Sequence, residues 1–115
     1  MAQSTVDIVV RSPAAGSKIL DVQGEITGSA EEALFAALST AGSDAGTILL
    51  NLSAVPSIDS TGAGLLIALL ARVRNQRQRL LAYGLSQPCR RAFELTHLDE
   101  AVGVYADEAE ALASL

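Results

Sequence analysis

The segment that most constrains this chain is the apolar run 47–52, Thr-Ile-Leu-Leu-Asn-Leu, set between the breaker-rich stretch 42–46 and a loop, 53–58, that holds Pro56. Side chains of a strand alternate between faces, so a strand apolar at nearly every position leaves no face for water. Such a strand sits at the centre of a sheet covered on both sides, the usual setting of parallel strands joined by helices.

The flanking sequence supplies those helices. Residues 6–11 are rich in β-branched side chains and 18–23 alternate polar with apolar. Turn residues at 13–16 lie between them, which predicts a β-hairpin. Gly24 ends the second strand. Beyond Gly28, Ala30, Ala33, Leu34, Ala37 and Leu38 recur at helical spacing, and Ser29 with Glu32 three residues on reads as a capping box. From Asp59 to Gln76 the sequence stays helix-compatible, with Asp59, Ser60 and Thr61 each suited to cap it. A strand follows at 79–83, closed by Gly84; Ser86 opens a third helix with Pro88 in its first turn; 102–105 form a fifth short strand, and 107–115 a final amphipathic helix. The order ββαβαβαβα predicts an α/β fold over residues 1–115, with a mixed β-sheet of four to five strands and helices packed against it.

Composition agrees with one domain. At 115 residues with 50% hydrophobic content, a core forms without metals or disulfides, and it is aliphatic, because the aromatics are only Phe35, Phe93, Tyr83 and Tyr105. The lone Cys89 excludes an internal disulfide; it reads as a small buried hydrophobe in a reducing compartment. No cationic, apolar leader is visible at 1–11, and the longest apolar run, 62–71, has ten residues against about 20 for a membrane span. The net charge of −5 argues against direct DNA or RNA binding. Six of the eight basic residues fall between Arg72 and Arg91. That run reads first as a solvated helix end, and second as a docking patch for an acidic partner.

Chemistry concentrates in 57–64, Ser-Ile-Asp-Ser-Thr-Gly-Ala-Gly, between the buried strand and the most apolar helix. Ser60 falls at a helix N-terminus, where orphan N–H groups and the macrodipole favour an added anion. Gly62 and Gly64 are poor helix formers, each costing roughly 1 kcal/mol against Ala. Either a partner's backbone approaches there, or the helix packs tightly on the sheet. Catalysis finds little support: the single histidine, His97, has no Ser relay, G-x-S-x-G is absent, and the only lysine, Lys18, lies in the hairpin outside any phosphate loop. No enzyme activity, cofactor or metal is expected. His97, near a helix end, suits a cap or a left-handed turn.

These residues resemble the STAS domain family and, within it, the stand-alone bacterial anti-sigma factor antagonists. The resemblance runs nearly end to end, through 22–27 (VQGEIT), 47–66 (TILLNLSAVPSIDSTGAGLL), 90–100 (RRAFELTHLDE) and 104–112 (VYADEAEAL), with Asp59-Ser60-Thr61-Gly62 as its specific core. It implies a cytoplasmic, non-enzymatic partner switch. Ser60 is the phosphoacceptor, with Thr61 the runner-up, and Thr27, Asp59, Ser60, Thr61, Gly62 and Gly64 form the partner surface. The implied partners are an anti-sigma factor that is itself a serine kinase, and a serine phosphatase; a weak homodimer is compatible. Unphosphorylated antagonist binds the kinase and frees the sigma factor. Two departures stand out: Thr27 where many members carry Asp, and His97 where many carry Gly. The alternatives are a constitutive accessory subunit of a transport or stress-sensing complex, and a small-ligand sensor module.

Overall fold

The structure, a computed structural model, describes residues 6–115. Five strands form one sheet: β1 (Asp7–Ala14), β2 (Ser17–Gln23), β3 (Thr47–Ala54), β4 (Arg79–Tyr83) and β5 (Gly103–Tyr105). Their order in space is their order in sequence. The β1–β2 hairpin is antiparallel and the other three pairings are parallel, so the sheet is mixed as expected. Helices α1 (Glu31–Ala41), α2 (Ser60–Asn75), α3 (Gln87–Leu95) and the short α4 (Leu98–Ala101) make the crossovers, and α5 (Glu108–Ala113) closes the described chain.

Sequential strand order has a consequence for layering. Crossovers are right-handed, so a sheet that grows in one direction places every crossover helix on the same face. That face holds the main core: Leu20, Val22, Ile48, Leu50, Leu52, Leu80 and Ala82 of the sheet pack on Leu34, Leu66, Leu69, Val73 and Phe93 of the helices. The opposite face is covered by α5 alone among the described helices. Ile19, Leu49, Leu81 and Tyr83 meet Ala111 there, with Tyr105 and Leu112 at the margin. The apolar run of β3 is buried on both sides at Ile48, Leu49 and Leu50.

Five local expectations change. The hairpin turn is tighter, because β1 continues to Ala14 and Gly16, at φ +82°, makes the reversal. In place of the Ser29–Glu32 capping box, Thr27 Oγ1 accepts the Ser29 amide and caps a 3-10 turn at Gly28–Ala30; α1 then starts behind Ala30 with no side-chain cap. The central strand runs two residues further, to Ala54. The segment after α3 holds a separate turn of helix, α4, which follows His97 in the left-handed region at φ 61°. The last helix is shorter than 107–115, with Asp107 as its N-cap. Cys89 is buried, and its thiol donates to the Val55 carbonyl at 3.4 Å, as a structural role requires. No helix among the described residues is long and apolar enough to cross a membrane.

Candidate functional site

The loop 55–59 between β3 and α2 is held from two sides. On one side the chain after β2 runs beside it: Gly24 N donates to Ala54 O, Ile26 N to Ser57 O and Asp59 N to Ile26 O, at 3.1–3.2 Å. Ile26 and Ile58 thereby form a parallel bridge beyond the strand ends, and the Ser57 hydroxyl donates to Glu25 at 2.9 Å. On the other side Ser86, the N-cap of α3, donates to Pro56 O at 3.1 Å while accepting from the Cys89 amide. Fixing both flanks leaves the start of α2 in one position.

Of the three cap candidates, Asp59 takes the role. Its Oδ1 accepts from the Gly62 amide at 2.7 Å, and its carbonyl accepts from the Ala63 amide at 2.8 Å. Ser60 is consequently the first helical residue, and it is exposed. The first amides of a helix have no partner within it, so Ser60 and Thr61 stand where the macrodipole is positive.

The two glycines separate. Gly62 is buried, and a Cβ on it would lie 1.9 Å from the carbonyl oxygen of Ile26. Its missing side chain serves the packing of α2 against the Ile26 backbone, and it sits behind the surface that Ser60 presents. Gly64 is exposed, with open space where a Cβ would stand. Thr61 is exposed too, and its methyl lies 3.2 Å from the position of a Cβ on Gly28. Thr27 is half-buried in the same neighbourhood, its hydroxyl paired with Ser29 at 2.9 Å. Thr27, Asp59, Ser60, Thr61 and Gly64 thus share one end of the sheet.

Two features beside them escaped the sequence reading. An apolar depression of about 190 Å³ opens between the start of α2 and the end of α3, lined by Ile58, Asp59, Ser60, Ala63, Ala92, Leu95 and Thr96. Leu95 is 71% exposed on its rim, and Ile67, two turns along α2 from Ser60, is 46% exposed. Leu95 faces out because it stands about 200° around α3 from Phe93, which with Cys89 forms the buried side of that helix. The basic run is divided: Arg72 lies over the Phe35 ring at 5.7 Å, while Arg74, Arg77 and Arg79 are exposed around the end of α2. Among the described residues no group of His, Cys, Asp and Glu is arranged to hold a metal ion.

No curated protein matches the chain. Solved structures do. An anti-sigma factor antagonist from Mycobacterium paratuberculosis superposes with a TM-score of 0.79 over 98% of this chain and 96% of its own, at 23% identity. The anti-sigma factor antagonist SpoIIAA in its unphosphorylated form gives 0.70 at 19% identity, over 93% and 94%. A sulfate transporter family protein from Wolinella succinogenes gives 0.80 at 23%, over 90% and 88%. At such identities these likenesses carry the fold. The STAS domain family model, in turn, matches residues 6–111, from the residue before β1 into the helix that covers the second face of the sheet, and on that match the chain belongs to the STAS domain family.

Proposed function

We propose that this protein is an anti-sigma factor antagonist that works as a phosphorylatable partner switch, with Ser60 as phosphoacceptor. The observation that carries the reading is the position of Ser60: an exposed hydroxyl at the first residue of α2, in an intact Asp-Ser-Thr-Gly sequence, on a loop braced from both sides. In its unphosphorylated form the surface of Thr27, Asp59, Ser60, Thr61 and Gly64, extended by Leu95 and Ile67, docks on an anti-sigma factor that is a serine kinase. The sigma factor is released in exchange.

Transfer is chemically simple. The Ser60 Oγ attacks the γ-phosphorus of the kinase's ATP, the bond to the β-phosphate oxygen breaks, ADP leaves and the hydroxyl proton passes to a kinase base. A serine phosphatase reverses the modification with water. The phosphate brings about −1.5 to −2 charge and three acceptor oxygens to a contact that was apolar at Leu95 and neutral at Ser60. Asp59 beside it is already anionic and committed to the Gly62 amide. Charge and bulk therefore oppose re-docking, while the helix N-terminus stabilises the phosphate within this chain by typically 0.3–1 kcal/mol.

The test is intact mass before and after incubation with a candidate partner kinase and ATP, with peptide mapping and a Ser60→Ala control. One phosphate on Ser60, absent in Ser60→Ala, is the expected result. An unmodified chain that still binds its partner would point to a constitutive accessory subunit, and saturable small-molecule binding with a raised Tm to a sensor module.

A further inference from the structure

The hairpin strand β1 is an open edge: its single neighbour among the described residues is β2. An edge strand presents a row of unpaired backbone groups, and natural proteins blunt such rows with charges, prolines, bulges or a covering element. Here the interruptions of the backbone row, a proline and a bulge, are confined to one end, and charges bracket the rest. Pro13 and the irregular register between Arg11 and Ala14 terminate the flat part of the strand, leaving Asp7-Ile8-Val9-Val10-Arg11 regularly paired with β2. Within that stretch Val9 is 61% exposed, on the face of the sheet that α5 covers only further along.

We propose that β1 is the contact of a symmetric homodimer, in which two β1 strands pair antiparallel about a two-fold axis at Val9. The segment is self-complementary in that arrangement. Val9 faces Val9, Ile8 faces Val10, and Asp7 of each copy stands opposite Arg11 of the other on the same face of the joined sheet. Opposite charges directly across an antiparallel pair are favourable, and apolar β-branched pairs are among the better ones. Arg11 has a donor to spare: Nε and Nη2 bind Asp21 and Glu108, and Nη1 has no hydrogen bond among the described residues.

The other face of the sheet supports the same axis. A groove of about 370 Å³ runs along the edge, floored by Ile8 and Val10 and walled by Ala33, Ala36, Ala37 and Thr40 of α1. Paired strands lie about 4.8 Å apart, so the α1 helices of two copies meet over the seam. Side chains no larger than Ala and Thr on that wall permit close approach, and each copy's groove is closed by the other's helix. One two-fold axis thereby covers Val9 on one face and the groove on the other. Ser60 lies on a different part of the surface, so the dimer does not depend on the switch reading and leaves that site open.

Sedimentation velocity of the intact protein over a wide concentration series is the test, with amide hydrogen exchange along β1. The expected result is a reversible monomer–dimer equilibrium, with β1 amides protected as dimer forms. Val9→Lys sets two ammonium groups against each other on the axis and should weaken association by at least about tenfold. Ala36→Arg fills the groove from an exposed helix position and should do the same. Unfolding curves matching the parent would show that both variants are folded. A monomer at every concentration, association untouched by both substitutions, or loss of the dimer with Leu95→Lys instead would each overturn the proposal.

Discussion

A Cβ on Gly62 would stand 1.9 Å from the carbonyl oxygen of Ile26, whereas one on Gly64, a half-turn further along α2, would meet open space. Backbone cannot yield as a flexible side chain does, so Gly62→Ala must push α2 off the loop that follows β2. Overpacking of this kind costs about 1–3 kcal/mol. Gly64→Ala should instead stabilise by about 0.5–1 kcal/mol, since Gly is the poorer helix former. Urea unfolding of the two variants beside the parent checks both signs at once.

Asp59 caps α2 through the Gly62 amide. Asp59→Ala should lose about 1 kcal/mol of stability, while Asp59→Asn should lose only a few tenths, because Asn caps as well as Asp. The Asn variant also removes the charge beside Ser60 while keeping the helix start. Under the switch reading, with Asp59 part of the docking surface, this variant should bind the kinase more weakly than the parent at near-parent stability, as isothermal titration beside urea unfolding would show.

The order of elements was legible because strand and helix periods differ over long stretches, and the breakers Gly24, Gly42 and Gly84 fall between them. The place of Ser60 at the start of α2 was legible because three cap-suited residues, Asp59, Ser60 and Thr61, stand together after the loop. What could not be read is what depends on residues distant in sequence. Gly62 and Gly64 look alike until Ile26 is placed against one of them. Thr27 outcompeted Ser29 for the cap because the chain enters α1 through a 3-10 turn. Four residues at Leu98–Ala101 are too few for a periodic signal. The ion-pair cluster on the second face joins Arg11 to Glu108, 97 positions apart, and no local pattern announces it.

That cluster predicts an acid dependence. Arg11 binds Asp21 and Glu108, Asn51 donates to Asp21 at 2.7 Å, and the Tyr83 hydroxyl donates to Glu108 at 2.8 Å, tying α5 to four strands. The Arg11 guanidinium holds both carboxyls below their usual range, with the Asn51 and Tyr83 hydrogen bonds adding and burial opposing. Folding thus releases protons from these groups. Their stabilisation is complete above the unfolded carboxylate pKa values and fades as pH falls through them toward the lower folded values. Thermal unfolding of dilute protein should show Tm dropping between about pH 5 and pH 3. In Arg11→Met that acid-dependent drop should shrink, with a loss near pH 7 of about 1 kcal/mol, the scale of a half-exposed ion-pair network.

Ser60→Glu separates the fold from the switch. A carboxylate in the first turn of α2 is favoured by the helix dipole by about 0.3–1 kcal/mol, and the proximity of Asp59 offsets part of that gain, so stability should stay within about 0.5 kcal/mol of the parent. Partner binding should respond quite differently, because the same charge would be pressed against a docked surface beside exposed Leu95, with no helix of this chain able to reach across and compensate. Expected is at least about a tenfold loss of kinase affinity, a change of about 1.4 kcal/mol or more. Ser60→Ala should bind like the unphosphorylated parent. Calorimetric titration of both variants, set beside their urea curves, reads the two effects independently, and a Ser60→Glu protein that unfolds early and binds weakly would trace the loss to the fold instead of the charge.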